Sequence, residues 1–232
     1  MKMNIRSKRN NIFCLSGFLI KPELIENSLN QKIDFIDYIN LPEDNLSEKL
    51  TKQNDKYDLA IGFSLGACLM LKYNHLIKAK KILLVAPPAN FLSNKDNPFG
   101  KDHSEMSSFI SMLKEDVNLL KKKFNFSSSF PKRQLFKYLT DNNHFHEDLN
   151  KKSLLEWLFF LEFFDASIYK KCNKEIYIMH GLQDNVVSYQ QTGIFKKSFK
   201  NINVKLVEDA PHALFLSHPD EFKDYVNHII NI

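Results

Sequence analysis

The sequence predicts an α/β fold: a mostly parallel sheet flanked by helices, with a helical cap inserted at about residues 91–171 of a single 1–232 domain. Three observations carry this reading. Short apolar runs alternate with stretches of helical spacing on both sides of the insertion. One such run, Lys81-Ile82-Leu83-Leu84-Val85-Ala86, is apolar without alternation, as a strand covered on both faces must be. Between about Phe91 and Lys171 the strand-like runs vanish, and apolar residues recur at three- and four-residue steps.

Taken in order, Ile12-Phe13-Cys14-Leu15 reads as a buried strand that opens into the loop Ser16-Gly17-Phe18. Residues 22–29 read as a short helix. Residues 32–38 alternate with the period of a strand and stop at Leu41-Pro42, and residues 47–53 read as helix. A strand over 57–61 follows, then a helix from Leu65 to about Asn74 with Lys72 on its polar side. The strand 81–86 ends at Pro87-Pro88. In the insertion, Met106, Phe109, Ile110, Leu113, Val117, Leu120 and Phe124 give one apolar face on a helix. Residues 154–164 are apolar nearly all round, so a helix there must be covered on more than one side. The body resumes with a strand over 175–179, a helix over 189–199 and a last strand over 204–207. Ser217, followed by Pro219 and Asp220, reads as the serine-capped start of a helix carrying Phe222, Val226 and Ile229.

The chain is long enough, and at 44% hydrophobic content apolar enough, to bury a sizeable core. A net charge of +5 is too mild to indicate a nucleic-acid partner, so any basic docking surface must be local. Cys14, Cys68 and Cys172 are odd in number and imply no disulfide framework. The basic lead, residues 1–11, precedes an apolar run that is short and lacks a small-residue cleavage site, and no 18-residue apolar stretch follows. The expectation is a soluble, cytoplasmic monomer without membrane contact.

The chemistry centres on Gly62-Phe63-Ser64-Leu65-Gly66, which lies between a strand and a helix. A serine held at such a turn has a strained backbone, and glycines two residues to either side let neighbouring chain pack closely. With only six glycines in the chain, two at this spacing are informative. Ser64 is the expected nucleophile. It needs an imidazole to take its proton and a carboxylate to fix the imidazole tautomer. In a parallel sheet sites form beyond the carboxyl ends of the strands, where Asp184 and His212 also fall. The order Ser64, Asp184, His212 is that of the α/β hydrolases. His180 and His218 are the nearer rivals for the base; His75, His144, His146 and His228 lie on predicted helices or in the cap. Asp209, Asp34 and Asp37 compete with Asp184. The backbone amides of Phe18 and Leu65 are the expected oxyanion donors. Such a triad requires no metal and no cofactor.

These segments resemble a family. Ser16-Gly17-Phe18, the serine motif, His180-Gly181-Leu182-Gln183-Asp184 and the run from Ala210 through Pro211-His212-Ala213-Leu214-Phe215-Leu216-Ser217-His218-Pro219-Asp220-Glu221 to Phe222 are similar to the pimeloyl-acyl-carrier-protein methyl ester carboxylesterases of biotin synthesis. The resemblance spans most of the body and little of the cap. It implies the α/β-hydrolase fold, Ser64, Asp184 and His212 as triad, Phe18 and Leu65 as donors, and acyl carrier protein bearing a pimeloyl methyl ester as partner. One departure stands out: the family's His-Gly before the oxyanion residue is Ser16-Gly17 here. The cap agrees with an acidic partner, because Lys121, Lys122, Lys123, Lys132, Arg133 and Lys137 fall between Asn118 and Lys137 without an intervening acid. Trp157, Phe160 and Phe164 are then expected to line the acyl chain. The competing readings are a general short-acyl esterase or thioesterase, and a non-catalytic binding protein on the same fold.

Overall fold

The computed structural model describes residues 11–141 and 148–232. Most of the basic lead and the two cap histidines, His144 and His146, lie outside the described residues. The body is a six-stranded sheet, every pairing parallel, in the order β2-β1-β3-β4-β5-β6. Its strands are β1 (Ile12–Leu15), β2 (Asp34–Phe35), β3 (Leu59–Phe63), β4 (Lys81–Val85), β5 (Glu175–Gly181) and β6 (Ile202–Val207). β1, β3 and β4 are buried nearly throughout, which explains their unbroken apolar runs, whereas β6, at the sheet edge, is only partly covered until Val207.

Helices connect the strands: α1 (Glu23–Leu29), α2 (Glu43–Lys52) and α3 (Leu65–Lys72) in the first half. Between β4 and β5 come the cap helices α4 (His103–Glu115), α5 (Val117–Ser129), α6 (Arg133–Asp141) and α7 (Lys151–Glu162), then a 3-10 turn, Ala166–Tyr169. A second 3-10 turn leads into α8 (Thr192–Ser198), and α9 (Leu214–Ser217) and α10 (Pro219–Asn231) close the chain. Among the described residues, no helix is long and apolar enough to cross a membrane.

Four expectations require correction. The strand expected over 32–38 pairs only at Asp34 and Phe35, because the chain then leaves the sheet edge and buries Tyr38, whose hydroxyl donates to Ser16 O at 2.6 Å. The apolar face expected on one helix from 106 to 124 belongs to two. Asp116 is extended (φ −144°, ψ 94°), and its carboxylate accepts from the amides of Asn118 and Leu119, so it ends α4 and caps α5. The helix expected over 189–199 is a 3-10 turn over Tyr189–Gln191 followed by α8. Ser217 does not cap α10. It ends α9, its hydroxyl donates to Leu214 O, and His218 occupies the cap position ahead of Pro219. The apolar run from Leu214 makes one helical turn immediately after the His212 loop, which moves the break one residue onward.

Candidate active site

The site is built where β3 meets α3. Ser64 sits between them at φ 51° and ψ −115°, a left-handed conformation costly for any side chain other than glycine. The turn is held by Ser64 N donating to Val85 O at 2.9 Å and by Ala67 N donating to Ser64 O at 2.9 Å. The flanking glycines serve space rather than torsion, since neither has positive φ. A Cβ on Gly66 would lie 2.0 Å from Leu15 O, and one on Gly62 2.7 Å from the Ala67 Cα. The strained residue is thus the serine itself, and glycine packing keeps β1 and α3 close around it.

The other two groups arrive on the loops that follow β5 and β6. Ser64 Oγ donates to His212 Nε2 at 3.0 Å, and His212 Nδ1 donates to Asp184 Oδ2 at 2.7 Å. His212 and the Asp184 carboxylate are fully buried, and Ser64 is only 7% exposed. Burial alone would push the Asp184 carboxyl up. His212 and His180, beside it, outweigh burial and hold it well below the usual carboxylate range. Asp184 Oδ1 accepts from Val186 N and Val187 N at 2.8 and 2.9 Å, which fixes the carboxylate on its own loop. That loop is tied to the histidine loop: Gln183 N donates to Ala210 O at 3.0 Å, and a Cβ on Gly181 would lie 2.2 Å from the same oxygen. Phe63 lies against the His212 ring at 4.9 Å, and Phe215 packs edge-on to Phe63.

No protein-family model matches the sequence, and no curated protein does. Solved structures match its shape. A bromoperoxidase from Bacillus anthracis aligns with a TM-score of 0.80 at 17% identity, over 96% of this chain and 92% of that one. An esterase from Exiguobacterium antarcticum aligns at 0.78 and 18% identity, over 96% and 92%. An α/β-fold family hydrolase from Bacillus anthracis str. Sterne aligns at 0.71 and 15% identity, over 94% and 91%. The chain has the α/β-hydrolase fold.

In α/β-hydrolase terms, the loop after β1 faces the turn after β3. Leu65 opens α3, where an amide has no intrahelical acceptor, and Phe18 follows Gly17 in a turn closed by Ile20 N donating to Gly17 O at 3.2 Å. Both side chains are buried. The Phe18 ring meets Phe124 of α5 edge-on at 6.1 Å, and Ser128, one turn further along α5, accepts from Ala213 N at 3.0 Å. α5 thus touches both the loop after β1 and the loop that carries His212. The Ser16 and Ser128 hydroxyls are buried without a hydrogen-bond partner among the described residues.

Three of the rivals are placed elsewhere. Asp209 accepts from Gln183 Nε2 at the surface, at 2.9 Å. Asp34 is exposed on the edge strand, and His218 pairs with Ser217 Oγ at 2.8 Å. His180, a rival for the base, instead joins Asp184, with Nε2 3.2 Å from Oδ2. Its position four residues ahead of Asp184 on the same strand end is the signal that could have found it.

The aromatic residues expected along an acyl chain do not gather on the triad. Trp157 is wholly buried, its ring edge-on to Tyr38 at 5.1 Å and to Phe160 at 6.2 Å. Phe160 and Phe164 line a groove of about 690 Å³ between α7 and α2, and none of Ser64, Asp184 or His212 is among its walls. Their packing is that of the seam between cap and body, because α7 rests on α2 and α4 and needs apolar contacts on both sides. The basic residues divide as well. Lys121 lines a cleft with Asn40 and Asp148, and Lys132 lines another with Asn27 and Leu216. Lys122, Lys123, Arg133 and Lys137 are exposed, with Lys123 over the Phe109 ring at 5.3 Å.

Proposed function

We propose that the protein is a serine hydrolase of carboxylic esters, with Ser64 as nucleophile, His212 as base and Asp184 as its orienting acid. The observation that carries this reading is the continuous path from Ser64 Oγ to His212 Nε2 at 3.0 Å and from Nδ1 to Asp184 Oδ2 at 2.7 Å. Ser64 Oγ attacks the ester carbonyl while its proton passes to His212 Nε2. The carbonyl oxygen, now negative, accepts from the Phe18 and Leu65 amides. Collapse of the tetrahedral adduct breaks the bond to the alcohol, which leaves with the proton from Nε2. Water then attacks the acyl-serine, His212 takes its proton, and return of that proton to Ser64 Oγ releases the acid.

The substrate favoured within this class is the methyl ester of a pimeloyl group borne on acyl carrier protein, with methanol as the leaving alcohol. It is supported by the similarity of the run from Ala210 to Phe222 and by the basic residues of α5 and α6, which suit an acidic partner. A second reading, a short-acyl esterase, draws on the separation of Lys121 and Lys132 into two clefts. A fluorophosphonate probe tests the common core. Native protein is expected to label at Ser64, and Ser64→Ala is expected to lose both labelling and ester hydrolysis. An unlabelled, folded native protein would overturn both readings in favour of a non-catalytic hydrolase fold.

A further inference from the structure

The acid of the proposed triad is shared by two histidines, and the second has no step in the reaction written above. His180 ends up at the carboxyl end of β5, fully buried. Its Nε2 lies 2.9 Å from the carbonyl oxygen of Val187 and 3.2 Å from Asp184 Oδ2. A carbonyl oxygen can only accept, so Nε2 carries the ring's proton. Nδ1 is buried with no hydrogen-bond partner among the described residues, which leaves Nε2 as the ring's working end. The neighbouring amides of Val186 and Val187 occupy Asp184 Oδ1. Oδ2 is therefore the oxygen left for the base, and His180 Nε2 lies within 3.2 Å of that oxygen while His212 Nδ1 lies at 2.7 Å.

We infer that His180 is a positioning residue: its Nε2–H, anchored on Val187 O, holds the Asp184 carboxylate in the rotamer that presents Oδ2 to His212 Nδ1–H. The inference rests on the reading of Ser64, Asp184 and His212 as catalytic. Physically, an ionised oxygen buried with one of its directions empty would be costly, and rotation toward another donor would relieve that cost at the expense of the His212 contact. Its hydrogen bond to Val187 O also ties the loop that carries the acid back onto the strand from which it departs. The two functions reinforce each other, because the loop fixes Oδ1 while the ring fixes Oδ2.

The test compares His180→Asn, His180→Gln and His180→Leu by steady-state hydrolysis of p-nitrophenyl acetate, thermal unfolding and the proton NMR resonance of His212 Nδ1–H. Gln and Asn carry the same amide, but only Gln reaches the place of Nε2. The expected result is a fall in kcat of at least about tenfold in the Asn and Leu variants, the equivalent of one charge-assisted hydrogen bond, with KM little changed and most of the loss recovered in Gln. The downfield Nδ1–H resonance is expected to shift or broaden in Asn and Leu and to return in Gln. Equal kcat in the Asn and Gln variants, or an Nδ1–H resonance indifferent to the substitution, would overturn the inference. Should the Leu variant fail to fold, the Asn and Gln pair still decides. Should the native protein neither label nor hydrolyse esters, the catalytic reading fails while the resonance still reports whether His180 positions Asp184.

Discussion

At the scale of single residues, Asp184 gathers more of the site than its sequence position suggests. Its carboxylate has no exposed surface, accepts from two amides of its own loop, and faces two imidazoles. Burial would raise its protonation range, but the neighbouring donors lower it below the ordinary value of 3.8. The sign of its effect on stability follows. A carboxyl depressed in the folded state contributes fully above its unfolded value, and that contribution drains away as pH falls below about 4, where the unfolded chain binds the proton first. Asp184→Asn is therefore expected to flatten the dependence of the urea midpoint on pH between about pH 5 and pH 2. At neutral pH it is expected to lower kcat by about 10⁴-fold with the fold retained, because the amide would favour the wrong tautomer of His212. A variant with native kcat, or with a pH dependence of stability matching the native protein, would remove Asp184 from the triad. Ser64, Asp184 and His212, the proposed nucleophile, acid and base, were legible because each follows the carboxyl end of a strand. The partnership of His180 with Asp184 was not: the sequence offers His180 only as a rival for the base, whereas its ring lies 3.2 Å from the acid.

At the scale of elements, the sheet was legible where burial leaves a one-dimensional trace. β1, β3, β4 and β5 are covered on both faces, so their runs are apolar and their ends fall at polar or turn residues. β2 was not legible, since two paired residues at an edge impose no pattern that a loop with alternating polarity lacks. The division between α4 and α5 shows the same limit. Apolar spacing carries through Leu113, Val117 and Leu120 without a break, while the event that separates the helices is one aspartate side chain bonding to two amides. This makes a sharp prediction. Asp116→Ala is expected to lower stability by about 1 kcal/mol in urea unfolding, whereas Asp116→Asn, which keeps the cap, is expected to stay within a few tenths. If the proposed ester hydrolysis holds, the same Ala variant is also expected to lower it by more than its stability loss explains, because α5 carries Phe124 onto Phe18 and Ser128 onto the amide of Ala213. Identical midpoints for Ala and native protein would show that α5 does not depend on this cap.

At the scale of the whole molecule, the cap is where sequence pattern and three-dimensional placement part. Periodicity shows that a segment has an apolar face but not which surface that face meets, so Phe124 became a neighbour of Phe18 in the loop after β1 while Phe160 and Phe164 turned to the groove beside α2. Charge behaves differently, because an exposed lysine acts through solvent over roughly 8–10 Å and needs no fixed contact. The exposed Lys122, Lys123, Arg133 and Lys137 all belong to α5 and α6, which pack on each other, and α5 reaches the loops of Phe18 and His212. If an acidic carrier brings the ester, these charges act on encounter rather than on chemistry. Replacing the four by glutamate is then expected to lower kcat/KM for the carrier-bound methyl ester by roughly 10-fold to 1,000-fold relative to that for a small soluble ester, and rising salt is expected to reduce the native preference in the same direction. Measurement of both substrates across a salt series separates the two: a preference for the carrier-bound ester that neither charge reversal nor salt changes would leave the carrier without an electrostatic dock on these helices, and equal turnover of both esters by the native protein would favour the short-acyl esterase.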